Sequence, residues 1–341
     1  MVLNYIGSKR TLLPFIGNVI DNLGGPPPKS FCDPFSGTCS VGNYFKNDFA
    51  ITSNDAEYYS YIISYAYLNC SYTKCLEDHL KTLNNLKGRV GLVTKNYSEC
   101  RLFFTNHNAQ KIDAMRTYLD SIRDQISRGE YIYLLACILE ASDKVANIAC
   151  VYGAFLKKFK KSAKNEIQVG PIHRETLKGG HDVHNLDVME LFKKGKKYDI
   201  VYLDPPYNHR QYSSNYFVLN YIAKYKDLSI RGKTGILTDC FKSKFSSKRW
   251  AKQEFEKLVE TIRADYIVLS YNNEGIIPSK EIIEILSKKG RVTTHTKQYK
   301  KFKAQMGVKE RWVTEYLYVL KMKHKVKEMS PTHPDPSESL S

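Results

Sequence analysis

The sequence predicts an α/β protein: a parallel sheet covered by helices, with a mostly helical insertion in mid-chain. Three observations predict it. Short apolar runs are each followed by a helical segment near both ends of the chain, a rhythm that builds parallel sheets. The rhythm lapses for about a hundred residues, which is long for a loop. The chain has 341 residues, 42% of them hydrophobic, enough for one large core or a core with an insertion.

The elements follow in order. "TLLPFIGNVIDNLG" is apolar at helical spacing and stops at Gly24-Gly25. "GGPPPK" cannot continue a helix. "SFCDPFSGTCSVGNYFKND" reads as a strand, a Gly-containing turn and a helix. "AITSNDAEYYSYIISYAYLN" repeats the pattern, with an acid at the strand end. From about Ser71 to His173 the chain turns helical, including "AQKIDAMRTYLDSIRDQI" and the amphipathic "EYIYLLACILEASDKVANI", and then basic in "GAFLKKFKKSAK". After "HDVHNLDVMELFKK" the rhythm returns with "YDIVYLDPPY", "ADYIVLSYNNEG" and "TEYLYVLKMK". The expected division is therefore 1–71 as the first part of the core, 72–172 as the insertion and 173–325 as the second part of the core. Residues 326–341, polar and Pro/Ser-rich, are expected to be a disordered tail.

Composition narrows the function. Lys and Arg number 52 against 35 Asp and Glu, a net charge of +17 that favours a polyanionic partner, nucleic acid first. The eight cysteines form no CxxC pair and no zinc spacing with His. No apolar run approaches the roughly 18 residues that span a bilayer. "MVLNYIGSKR" lacks an apolar signal region, so the expected setting is a reducing cytoplasm.

Two motifs carry chemistry. In "FCDPFSGTCSVG", Gly37 lets the backbone approach a ligand, and Asp55 lies where doubly wound folds place an acid for ribose hydroxyls. The pair suggests a nucleoside-containing cofactor; an ordinary tight turn with an Asp helix cap is the alternative. At the end of "IVYL" stand Asp204, Pro205, Pro206 and Tyr207, at the strand mouth where open α/β sheets bind ligands. A carboxylate and a rigidly held Pro205 carbonyl can accept both N–H bonds of an exocyclic amine, and Tyr207 can stack on the base. A Pro-rich turn that merely ends a strand is the plain alternative.

"NYIGSKRTLLPFI", "FCDPFSGTCSVG", "SND" and "YLDPPY" together, in this order, resemble the motifs of the Dam-like, α-group N6-adenine DNA methyltransferases. The likeness covers about residues 2–70 and 180–275, with a weaker stretch at "DKVANIACVYGAFLKKFKKSA". It implies a Rossmann-like S-adenosylmethionine-dependent core with an inserted target-recognition domain. It also implies methyl transfer to the N6 amine of an adenine flipped from duplex DNA within a restriction–modification system. A cognate restriction endonuclease would be a functional rather than physical partner, and the enzyme a monomer or weak dimer. Carried over, Tyr5, Ile6, Gly7, Lys9, Asp33, Pro34, Phe35, Gly37, Thr38, Asp55, Asp187 and Asp204 bind the cofactor, and Asp204 through Tyr207 perform the reaction. This sequence departs from some relatives in having Tyr5 for Trp and a less Gly-rich "FSGTCS" loop. An RNA base methyltransferase and an inert DNA-binding relative are the rival readings. The former generally lacks the "NYIGSK" element and the insertion.

Other features keep two readings. Lys157, Lys158, Lys160 and Lys161 either contact phosphate or form a solvated face, and Arg210, just after the DPPY motif, is a DNA or loop anchor together with Gln211. The tyrosines of "EYYSYIISYAYLNCSY" either stack bases or, the favoured reading, pack on the sheet. The histidines are scattered, "HDVHNLD" being the one dense group, and methyl transfer from a sulfonium needs no metal, so none is expected.

Overall fold

A computed structural model describes residue 3, residues 5–300 and residues 312–323. Asn4 of "NYIGSK" and the expected tail 326–341 lie outside the described residues. The first core segment is α1 (Leu13–Asp21), β1 (Ser30–Asp33), α2 (Ser40–Phe45), β2 (Ala50–Asn54) and α3 (Tyr58–Asn69). The insertion holds α4 (Lys74–Asn85), the single turn α5 (Leu92–Thr94), α6 (Asn106–Ser121) and α7 (Arg128–Val145). Then come β3 (Asp182–His184), α8 (Val188–Lys193), β4 (Tyr198–Leu203) and α9 (Tyr212–Lys224). A small hairpin, β5 (Ile230–Arg231) and β6 (Ile236–Leu237), precedes α10 (Ala251–Thr261), β7 (Ala264–Asn272), α11 (Ser279–Ser287), β8 (Gly290–Lys300) and β9 (Trp312–Met322).

Among the described residues seven strands form one sheet in the order β3-β2-β1-β4-β7-β9-β8. The first five run parallel, with Phe31 opposite both Ile51 and Ile200, and Tyr198 opposite Ala264. Strand β9 alone enters antiparallel, between β7 and β8, with Tyr266 opposite Lys321 and Val292 opposite Leu320. Helices cover both faces, which is why "YDIVYL" is a near-continuous apolar run rather than an alternating one.

Residues 72–172 pack on the elements before and after them. Helix α7 starts in a reciprocal cap between Ser127 and Glu130 and lies against α3 and α9. One apolar cluster runs from Phe31 and Ile63 through Leu80, Met115 and Leu135 to Phe217. Within it the buried carboxylate of Asp113 accepts the Val93 and Thr94 amides at 2.9 and 2.8 Å and the hydroxyls of Thr94 and Tyr225 at 2.6 and 2.9 Å. Of the tyrosines in α3, Tyr59 and Tyr67 are buried in this core.

Candidate active site

A cavity of about 410 Å³ opens beyond the carboxyl ends of β1, β2, β3 and β4. Each strand delivers its next residues to the wall. Pro34 and Phe35 follow β1, Asn54 to Glu57 close β2, Leu186 to Glu190 follow β3, and Asp204 and Pro206 follow β4. Tyr5 and Gly7 come from the amino-terminal segment, and Gln211 to Ser213 from the start of α9. A strap between β6 and α10, Phe241 to Phe245, completes the wall. Its Phe245 meets Phe35 edge-on at 5.4 Å.

The local geometry explains these positions. Asp55 receives the Gly37 amide at 2.8 Å and the Glu57 amide at 2.9 Å, so it ties the β1 turn to the start of α3. Gly37 has φ +52°, and a Cβ there would meet the Tyr5 ring at 3.0 Å. Asp187 caps α8 by accepting the Met189 amide at 2.8 Å while it faces the cavity. Tyr5 stacks on Tyr216 at 4.7 Å, and the Tyr216 hydroxyl accepts the Ile6 amide at 2.8 Å. Helix α9 is kinked at Tyr216. Gly7, at φ +80°, leaves room for the hydroxyls of Tyr212 and Tyr207, which a Cβ would meet at 3.1 and 3.6 Å. The motif at the amino terminus is thus fastened to the helix that follows the DPPY motif.

Charge is concentrated at Asp204. Lys9 lies 3.0 Å from Asp204 Oδ1 and 2.8 Å from Glu315 Oε1. Burial, opposed by Lys9 and reinforced by Glu315, pushes the Asp204 carboxyl up to about 6. Burial disfavours the Lys9 ammonium, but the two carboxylates outweigh it and hold that group well above the usual lysine range. Burial, with the nearby Asp55 charge, also raises Glu57 to about 7, and burial raises Asp55 itself.

The expected site residues divide in two. Tyr5, Gly7, Pro34, Phe35, Asp55, Asp187, Asp204 and Pro206 meet at the cavity. Ile6, Lys9, Asp33, Gly37, Thr38, Pro205 and Tyr207 are not on its wall. Lys9 is engaged with the two carboxylates. Asp33 is buried at the end of β1. The Thr38 hydroxyl bonds Ser40 at 2.9 Å beside a second, smaller cleft. Tyr207 is half-buried, edge-on to Tyr271 at 6.1 Å, with the Lys9 ammonium 5.7 Å from its ring centre.

The basic residues divide as well. Lys157, Lys158, Lys161 and Arg210 are exposed. Lys160 is half-buried and donates to the Ile148 carbonyl at 2.8 Å. Sequence reasoning missed Glu57, the strap and Glu315. Glu57 had a signal, an acid two residues past Asp55; the strap had none. Among the described residues no group of three or more His, Cys, Asp or Glu is arranged to hold a metal ion, and no helix is long and apolar enough to cross a membrane.

Comparison with known proteins shows the family. The family model for the D12 class N6 adenine-specific DNA methyltransferases matches residues 5–285. The chain is 40% identical over 333 residues to the type II methyltransferase M.NlaIII of Neisseria lactamica, covering 93% of this chain and 99% of that protein. It is 36% identical over 323 residues to M.CviAII, a type II methyltransferase of Paramecium bursaria Chlorella virus 1, covering 93% and 97%. The modification methylase StsI of Streptococcus sanguinis is 32% identical over 340 residues, 94% of this chain and 52% of that longer protein. With a matched span of residues 5–285, most of its length, the chain belongs to the D12 class N6 adenine-specific DNA methyltransferase family.

Proposed function

We propose that this enzyme moves a methyl group from S-adenosylmethionine to the N6 amine of an adenine flipped out of duplex DNA, within one short recognition sequence. The observation that carries the reading is the common wall: Asp55, suited to ribose hydroxyls, and Asp204, suited to an amine, face one cavity at strand ends on either side of β1. The donor set fits the cofactor. Phe35, Val188 and Met189 offer apolar surface for a purine, and Asp187 offers a carboxylate to its amino group. When bound, S-adenosylmethionine supplies an electrophilic methyl group on a sulfonium.

The protein's own part is positioning and charge. Adenine N6 is a poor nucleophile because its lone pair is delocalised into the ring. Asp204 and the Pro205 carbonyl accept its N–H bonds and draw the nitrogen toward a tetrahedral form. Asp204 then takes the proton that the amine sheds once alkylated. Tyr207, beside the cavity rather than on its wall, is the ring we propose stacks on the extruded base. The insertion, residues 72–172, reads the DNA, its Lys157, Lys158 and Lys161 resting on phosphates together with Arg210 of the catalytic half. The likeness to proteins named type II methyltransferases supports a restriction–modification role in the cytoplasm, beside an endonuclease of the same specificity.

Methylation-sensitive sequencing of DNA from cells expressing the protein tests this. N6-methyladenine is expected in one sequence context, and none with Asp204→Ala. Unmodified DNA with the intact protein, or modification that survives Asp204→Ala, refutes it.

A further inference from the structure

Glu315 is a buried charge that the reaction described above does not use. It lies on β9, where Val313, Glu315 and Leu317 alternate onto one buried side. An acid thus occupies a position the pattern reserves for apolar side chains. Its side chain is 1% exposed. Oε1 receives the Lys9 ammonium at 2.8 Å and the Ser270 hydroxyl at 2.5 Å, and Oε2 receives the Tyr299 hydroxyl at 3.3 Å. The same ammonium reaches Asp204 at 3.0 Å. One cation therefore bridges a carboxylate on the cavity wall and a carboxylate sealed behind it.

A lysine paired with Asp204 alone would make a neutral couple and would compete with an incoming amine for the carboxylate. Glu315 changes both terms. Two carboxylates around one ammonium leave a net charge of −1 beside the cavity. That surplus matches the positive charge an amine nitrogen acquires on alkylation. Glu315 also offers Lys9 the shorter of its two contacts, inside a carboxylate whose other bonds fix its orientation.

We propose that Glu315 is a positioning residue for methyl transfer: it anchors Lys9, so that the ammonium engages only Oδ1 of Asp204 and the trio faces the target amine with one surplus negative charge. The proposal rests on the reading of Asp204 as the amine-binding group. Among the described residues, the charged and titratable groups around the trio are these. Tyr202 and Tyr207 face Lys9, Tyr212 and Asp33 lie within electrostatic reach of Asp204, and Tyr299 bonds Glu315. Of the neighbouring charges, Lys9 pulls the Asp204 carboxyl down and Glu315 pushes it up.

The test is the pH dependence of kcat/KM with S-adenosylmethionine and duplex DNA, with calorimetric cofactor binding as the measure of an intact fold. The wild-type rate falls as pH drops through about 6, where Asp204 gains a proton. Glu315→Gln removes a neighbouring negative charge, so the acid limb moves about one unit lower, while kcat at the plateau falls roughly tenfold. Lys9→Met moves the limb the other way. Glu315→Asp keeps the charge, guards against a Gln variant that does not fold, and leaves the limb in place. A Glu315→Gln enzyme that binds cofactor normally with an unmoved limb overturns the proposal. So does a Glu315→Asp limb displaced downward by about one unit. Retained turnover in Asp204→Asn overturns the reading of the site itself, whereas an inactive Asp204→Asn with an unmoved Glu315→Gln limb overturns the role of Glu315 alone.

Discussion

Gln211→Ala is expected to loosen the strap and weaken cofactor binding. The strap crosses the cavity as Phe241 to Phe245, and Gln211 holds its middle. Gln211 Nε2 donates to the Ser243 carbonyl at 3.0 Å, and its Oε1 accepts the Ser243 amide at 2.8 Å. Each such bond, partly exposed, contributes about 1 kcal/mol net. Losing both removes about 2 kcal/mol from the closed arrangement, a roughly thirtyfold rise in the Kd for S-adenosylmethionine. Ser213→Ala, which deletes a 2.6 Å bond from the Ser213 hydroxyl to the Phe241 carbonyl, should cost about half as much. Isothermal calorimetry gives the affinity and stopped-flow fluorescence the rates. The loss should fall on the off-rate, because the strap acts after the cofactor has entered. A Gln211→Ala protein that binds within twofold of wild type refutes the reasoning, as does a loss confined to the on-rate.

Three further outcomes follow from the same geometry. Tyr207→Ala should lower kcat far more than Tyr207→Phe, because a ring stacked on the base is worth about 1–3 kcal/mol; equal losses sink the stacking role. Neutralising Lys157, Lys158 and Lys161 together should reduce the salt slope of DNA binding by about three, whereas Lys160→Gln should lower thermal stability instead, since its ammonium is bound to Ile148; an unchanged slope returns the three exposed lysines to a solvated face. Asp113→Ala strips four bonds from α5 and Tyr225 and should destabilise the fold by about 3 kcal/mol or more in urea titrations, and a change below about 1 kcal/mol contradicts that account.

How much of this was legible depended on how local the signal was. The strands "YDIVYL" and "ADYIVLSYN" could be read because burial on both faces makes them apolar runs, and "SFCD" and "AITSN" because each gives way to a turn and a helical pattern. Strand β8, "GRVTTHTKQYK", was not read, since an edge strand carries polar and charged side chains. The two-residue strands of the hairpin are too short to leave a pattern. Asp55, Asp187 and Asp204 could be found because each stands where a strand gives way to a turn or helix. Glu315 was visible only as one acid in an alternating strand, and its meaning needed Lys9, 306 residues away. The strap resisted for the same reason: nothing in "CFKSKF" says which cavity it covers.

That separation bears on how the enzyme comes into being. Lys9 emerges early in synthesis, while Glu315 and Ser270, which complete its surroundings, come near the opposite end of the chain. Tyr5 must likewise wait for Tyr216. A growing polypeptide can assemble α7 against α3 well before then, but Lys9 gains its Glu315 contact only after β9 threads antiparallel into the sheet. A nascent chain stalled before β9 therefore carries every residue of the cavity wall but lacks the Glu315 carboxylate that pairs with Lys9.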